Sequence, residues 1–116
     1  MKKKLSEPAA QQEETMYIIN ANCWKCKTPQ RIALVRGDFD KRGGTTAGPD
    51  TFSQDEITIA LSKGVILKEE YSNTANKSYL ANSCSSCGNF AGNFFLFKDY
   101  FNPAELGRYT YETISL

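Results

Sequence analysis

The sequence predicts a small, β-rich α+β domain, and three observations point there. The 116-residue chain has room for one domain. Its apolar residues gather in short runs rich in β-branched and aromatic side chains, as strands require. Its four cysteines form two pairs of identical spacing, Cys23-Trp24-Lys25-Cys26 and Cys84-Ser85-Ser86-Cys87. The expected organisation is a disordered N-terminal tail over residues 1–15 and a single domain over 16–116. An insert at 37–77 separates the two cysteine-bearing halves.

Composition bounds the function. Hydrophobic residues make up 41% of the chain and aromatics 12%. That supports a small core that gains from an added staple. With 14 basic and 13 acidic side chains the net charge is +1, so no strong field gathers polyanions from a distance. The opening "MKKKLSEPAAQQEET" is polar, and no apolar stretch follows its lysines as a signal peptide would need. No apolar run approaches the roughly 18 residues of a membrane span. The expectation is a cytoplasmic protein with no membrane partner, whose thiols stay reduced.

The paired cysteines then point to a metal. A C-x2-C pair puts two sulfurs at one turn, and a second pair completes a tetrahedron with Zn–S bonds of about 2.3 Å. Two disulfides need an oxidising compartment, and a thioredoxin-like site expects one such pair near a βαβ unit. The long gap between the pairs changes the loop to be closed rather than the coordination, and closure entropy grows only logarithmically with length. The expected cofactor is one structural Zn²⁺ per chain on Cys23, Cys26, Cys84 and Cys87. Gly88 follows the second pair and supplies the positive φ that such a turn requires, whereas Lys27 holds the matching position in the first. The charges of Lys25 and Lys27 offset the −2 of a zinc held by four thiolates.

Both pairs sit between strand-like runs. "MYIINANCWKCKTPQRIALV" reads strand, cysteine turn, strand, and "KSYLANSCSSCGNFAGNFFLF" reads the same way. Over about residues 16–36 and 78–98 the chain resembles the zinc-ribbon class, and within it the small zinc-ribbon proteins of bacteria and their phages. The resemblance implies two knuckle-tipped β-hairpins facing one ion in an antiparallel sheet. It does not fix a function, because ribbons serve as nucleic-acid modules, protein adaptors and structural staples.

The insert opens with "GDFDKRGGTTAGPDTF", residues 37–52, which reads as a mobile Gly-rich loop. It lacks the phosphate-cradling G-x4-G-K-[ST] pattern. Ser53 and Glu56 then form a capping box, Phe52 and Ile57 a hydrophobic staple, and Gly64 a left-handed stop. These signals predict a helix over Gln54–Lys63 with Ile57, Ala60 and Leu61 on its buried face. "VILKEEY" and "SYLANS" read as strands around the turn "SNTANK". Asn102-Pro103 and Gly107 bracket one helical turn. "RYTYETISL" reads as a final strand, with Tyr109, Tyr111 and Thr113 on one face and Thr110, Glu112 and Ile114 on the other. The aromatic group Phe90, Phe94, Phe95, Phe97, Tyr100 and Phe101 is expected to be core.

No catalytic apparatus emerges. The chain has no histidine, and a four-thiolate zinc has no open position to activate water. Asp38, Asp40, Glu69 and Glu70 read as solvated surface, and no small-molecule substrate is evident. The expectation is a non-enzymatic protein-interaction adaptor or regulatory factor, with a protein partner docking near Trp24, Lys25, Lys27 and Arg31. The alternative is a nucleic-acid-binding module. It uses the same four residues together with Lys41 and Arg42, a tryptophan beside cations being how single strands are held. The absence of a basic stripe weighs toward the protein partner.

Overall fold

The computed structural model describes residues 14–73 and 75–116, and of Phe94 it describes the backbone alone. The expected tail therefore lies outside the described residues except at Glu14 and Thr15. There the chain is already part of the fold, because Thr15 opens the first strand and Glu14 is buried.

Two antiparallel sheets organise the chain. Strands β1 (Thr15–Asn22) and β2 (Pro29–Arg36) form a hairpin. β3 (Thr46–Ala47) pairs with the far edge of β2 at Val35 and Arg36, and β7 (Tyr111–Ser115) pairs with β1. The order in this four-stranded sheet is β3-β2-β1-β7. The second sheet holds β4 (Leu67–Ser72), β5 (Lys77–Ser83) and β6 (Phe90–Ala91) in chain order.

The near-continuous apolar runs of β1 and β2 have a physical reason: both faces of their sheet are covered. Ile19, Ala21, Ile32 and Leu34 face one way, onto Leu96, Tyr100, Phe101 and Ala104 of the C-terminal helical segment. That segment is a π-helical turn over Leu96–Phe101 running into α3 (Asn102–Glu105). Met16, Ile18, Ala33 and Val35 face the other way, onto Ala60 and Val65. Each of these larger aliphatic side chains contributes about 1.5–3 kcal/mol by leaving water.

The helix of the insert, α2 (Gln54–Ser62), is where its signals place it. The Ser53 hydroxyl accepts from the Glu56 N–H, and the Glu56 carboxylate accepts from the Ser53 N–H. At the other end Gly64 has φ 86°. The Gly64 N–H bonds the Leu61 carbonyl and the Val65 N–H the Ala60 carbonyl. That is the paired closure in which a left-handed glycine ends a helix.

Residues 37–52 depart from the expected loop. They form α1 (Phe39–Arg42), β3 and a 3-10 turn over Pro49–Thr51, and Arg42, Ala47 and Pro49 are buried. The Asn93 side chain occupies the space a side chain at Gly48 would need, and its amide donates to Asp50 at 2.6 Å. Composition suggested a loop because the segment is ordered by an ion network rather than by apolar packing. The Arg42 guanidinium lies in a double fork. It donates to Glu14 at 2.6 and 2.9 Å and to Glu56 at 3.1 and 2.8 Å. Planar guanidinium geometry suits bidentate pairing of this kind.

The aromatic group expected in the core divides. Tyr100 and Phe101 are buried, whereas Phe95 and Phe97 are about half exposed. Phe97 packs on Phe101, and the Arg36 guanidinium carbon lies 4.2 Å from the Phe101 ring centroid and 5.6 Å from that of Phe97. Leu96, between the two exposed rings, takes the core position.

Candidate metal centre

The β1–β2 register ends at Asn22 opposite Pro29, and the β5–β6 register ends at Ser83 opposite Phe90. The connections left over, residues 23–28 and 84–89, have equal length and equivalent geometry. Each begins with a cysteine whose N–H bonds the carbonyl of the last loop residue. The pairs are Cys23 to Thr28 and Cys84 to Asn89, both 2.8 Å. The first cysteine carbonyl then accepts from the fifth residue, Lys27 at 2.9 Å and Gly88 at 3.2 Å. That fifth residue is left-handed in both loops, φ 68° at Lys27 and 78° at Gly88.

This matched folding aims four sulfurs at one point. They all lie within 4.8 Å of one another, and the pairs Cys23–Cys87 and Cys26–Cys84 are each 3.6 Å apart. Sulfurs bound about 2.3 Å from one ion in a tetrahedron lie about 3.8 Å from each other. A disulfide needs about 2.05 Å, so the four are thiols spaced as metal ligands. Each close pair joins one knuckle to the other, so the cluster spans the two sheets.

Second-layer donors repeat as well. The N–H of Lys25 points at Cys23 Sγ and that of Ser86 at Cys84 Sγ, both 3.4 Å. The Thr28 hydroxyl lies 3.2 Å from Cys26 Sγ, and the Asn89 amide donates to Cys87 Sγ at 3.5 Å. These donors favour the thiolate. The Thr28 hydroxyl holds the Cys26 thiol well below its usual range, and the Asn89 amide lowers that of Cys87. Burial pushes Cys23 the other way. Cys23 and Cys84 are buried, and Cys26 and Cys87 are exposed. A metal here would carry one shielded and one open edge.

The other expected contact residues separate. Trp24 is 53% exposed, yet its indole N–H donates to the Phe90 carbonyl at 2.9 Å, which ties the first knuckle to β6. Lys25 and Lys27 are exposed, and Lys27 Nζ donates to the Trp24 carbonyl. Arg31 is engaged within the fold, with Asn20 at 2.9 Å, the Lys63 carbonyl, and Glu112 at 3.5 Å. Lys41 pairs with Glu14, and Arg42 is the buried centre of the ion network. Arg42 is therefore not the loop cation of the nucleic-acid reading. The roles of Thr28 and Asn89 were not visible in the sequence, where the equal position after each C-x2-C was their only signal.

Comparisons with protein-family models, curated proteins and solved structures find no match for this chain. No helix among the described residues is long and apolar enough to cross a membrane.

Proposed function

We propose that Cys23, Cys26, Cys84 and Cys87 hold one structural Zn²⁺. On this reading the chain is a zinc-ribbon-like interaction module of the cytoplasm that carries out no catalysis. The observation behind the zinc assignment is the convergence of two equivalent knuckles, with all four sulfurs within 4.8 Å of one another and two cross-knuckle pairs at 3.6 Å. Four soft thiolates select zinc or iron, and structural sites of this type favour zinc. Saturated coordination supplies cross-linking and leaves no position for substrate. Elemental analysis and native mass spectrometry of protein purified without added metal test it, with one zinc per chain expected. Two metals per chain, an iron chromophore, or two disulfides by mass would overturn it.

The partner is proposed to be a protein that docks at Trp24. A half-exposed tryptophan anchored by its own indole N–H is a preorganised contact, and tryptophan is enriched among binding hot spots. The engagement of Arg31, Lys41 and Arg42 within the fold reduces the cations available to phosphates. Affinity capture with wild-type and Trp24→Ala bait, with and without nuclease, separates the readings. A protein retained by wild type after nuclease and lost with Trp24→Ala is expected. Loss on nuclease treatment, or steep weakening between about 50 and 200 mM salt, would favour nucleic acid instead.

A further inference from the structure

A cavity of about 580 Å³ lies beside the knuckles, within the roughly 300–1,000 Å³ range of ligand sites. Six aromatic rings line it: Trp24 and Phe90 from the knuckle hairpins, Tyr71 and Tyr79 from β4 and β5, and Phe95 and Tyr100 from the C-terminal segment. Three of these have their polar edges turned to the chain. The Trp24 indole N–H bonds the Phe90 carbonyl, the Tyr71 hydroxyl bonds Asn76 at 2.7 Å, and the Tyr79 hydroxyl accepts from the Asn93 N–H at 3.3 Å. With those three polar edges engaged within the chain, the wall is largely aromatic carbon. Among the described residues the wall holds one charged group, Asp99, and no lysine or arginine.

Aromatic faces carry negative potential and attract weakly hydrated cations. A carboxylate beside them adds attraction for the same charge. A phosphate or carboxylate ligand would meet Asp99 with no cation to offset it. We propose that this cavity receives an arginine or lysine side chain of a protein partner, its alkyl stem against the rings and its charged head toward Asp99. The proposal rests on the docking reading above, because Trp24 forms part of the wall. Burial, reinforced by the neighbouring Asp99 charge, pushes the Tyr100 phenol up to about 12.

Trp24 is the sole tryptophan, so its emission reports occupancy. The metal-loaded full chain is titrated with acetyl-Ala-Arg-Ala-amide and with the citrulline counterpart, which is nearly isosteric and neutral. Saturable binding is expected, about tenfold tighter for the arginine peptide. Asp99→Asn, at an exposed position, should abolish most of that preference without lowering the melting temperature. Phe95→Ala should weaken the arginine peptide by about threefold or more. Equal affinity for the two peptides, tighter binding of an anionic dinucleotide, or an unchanged preference in Asp99→Asn would overturn the proposal. If neither peptide binds while Trp24-dependent capture of a protein persists, the cation assignment falls and the docking reading stands. Loss of both retires the two together.

Discussion

The side-chain amide of Asn82 closes two hydrogen bonds on the backbone of one residue, Ala33. Asn82 Oδ1 accepts from the Ala33 N–H at 2.8 Å, and Asn82 Nδ2 donates to the Ala33 carbonyl at 3.0 Å. β3 covers the outer edge of β2 only at Val35 and Arg36. At Ala33 a single side-chain amide takes the place of a neighbouring strand and joins the two sheets. Asn82 is fully buried, so its removal strands a donor and an acceptor away from water. Asn82→Ala should cost about 2–6 kcal/mol, from about 1–3 kcal/mol for each of the two unsatisfied buried groups. Urea unfolding checks this, and Asn82→Asp should be destabilising too, since a carboxylate cannot donate to the Ala33 carbonyl.

The Glu14–Arg42–Glu56 network predicts an acid limit to stability. The Arg42 guanidinium, with help from Lys41 and against the upward push of burial, holds the Glu14 carboxyl down to about 2 from 4.5. For Glu56 burial works upward, but the bonds from Arg42 and the Ser53 N–H outweigh it and the net direction is down. A depressed folded value means the unfolded chain takes up protons first. The contribution is complete above about 4.5 and is lost as pH falls toward about 2. The pairing with Glu14 raises the Arg42 value, so Arg42 stays charged throughout. Arg42→Met leaves the Glu56 carboxylate without its cation and Glu14 with Lys41 alone, and should cost about 3–5 kcal/mol near neutral pH. Its pH profile should reverse, with stability recovering as the carboxyls protonate. Melting temperature against pH for both proteins checks both signs.

How much of this was legible follows from the range over which each cause acts. The α2 caps and the final strand rest on neighbouring residues, so Ser53, Glu56 and Gly64 announced the first and the alternation of Tyr109–Ile114 the second. The four ligands were legible because spacing within a knuckle is local chemistry. Arg42 was misread because its partners lie 28 positions before it and 14 after it, and a cation in a Gly-rich stretch looks solvated. Asn82 and Ala33, 49 residues apart, gave no local signal of their pairing. Phe95 and Phe97 read as core because six aromatics in a short span suggest burial. The π-helical turn instead sends Leu96 and Tyr100 inward.

The two knuckles differ at their left-handed position. Lys27 takes a left-handed φ of 68° where Gly88 has 78°. That conformation costs a side-chain-bearing residue about 1–2 kcal/mol. Lys27→Gly relieves it but loosens the unfolded chain and loses the Lys27 to Trp24 contact, so a small gain of about 0.5 kcal/mol is expected. Gly88→Ala meets nothing within 4 Å and should cost only the conformational term, about 1 kcal/mol. Thermal melts at fixed zinc check the opposite signs.

Metal removal should act unevenly. The cluster joins the β1–β2 hairpin, buried on both faces, to the β5–β6 hairpin, whose second strand has two residues. Structural zinc binds peptides with about 10–16 kcal/mol, comparable to the roughly 5–15 kcal/mol of a whole domain. After chelation, hydrogen exchange should accelerate first at 84–91 and in β5, with β1 and β2 the last to open. Uniform protection in demonstrably metal-free protein would count against a structural metal.

Trp24 is the residue on which stability and recognition divide. Its ring is half exposed, so Trp24→Ala should not incur the full cost of about 3–5 kcal/mol for emptying a buried aromatic site. It does lose the bond to the Phe90 carbonyl, worth about 0.5–1.5 kcal/mol, together with the buried half of the ring. A total of about 1–2.5 kcal/mol is expected, with metal content unchanged because the bonds of the Cys23 backbone to Thr28 and Lys27 stay in place. Trp24→Phe keeps a ring and loses the donor, so it should cost about 0.5–1.5 kcal/mol. If Trp24 anchors a partner, the alanine variant should also weaken binding by at least about 2 kcal/mol per folded molecule, and the phenylalanine variant by less. Calorimetric binding to the captured partner, below the melting temperature of each variant, separates the two effects. A stability loss without a binding loss would confine Trp24 to holding the first knuckle against β6.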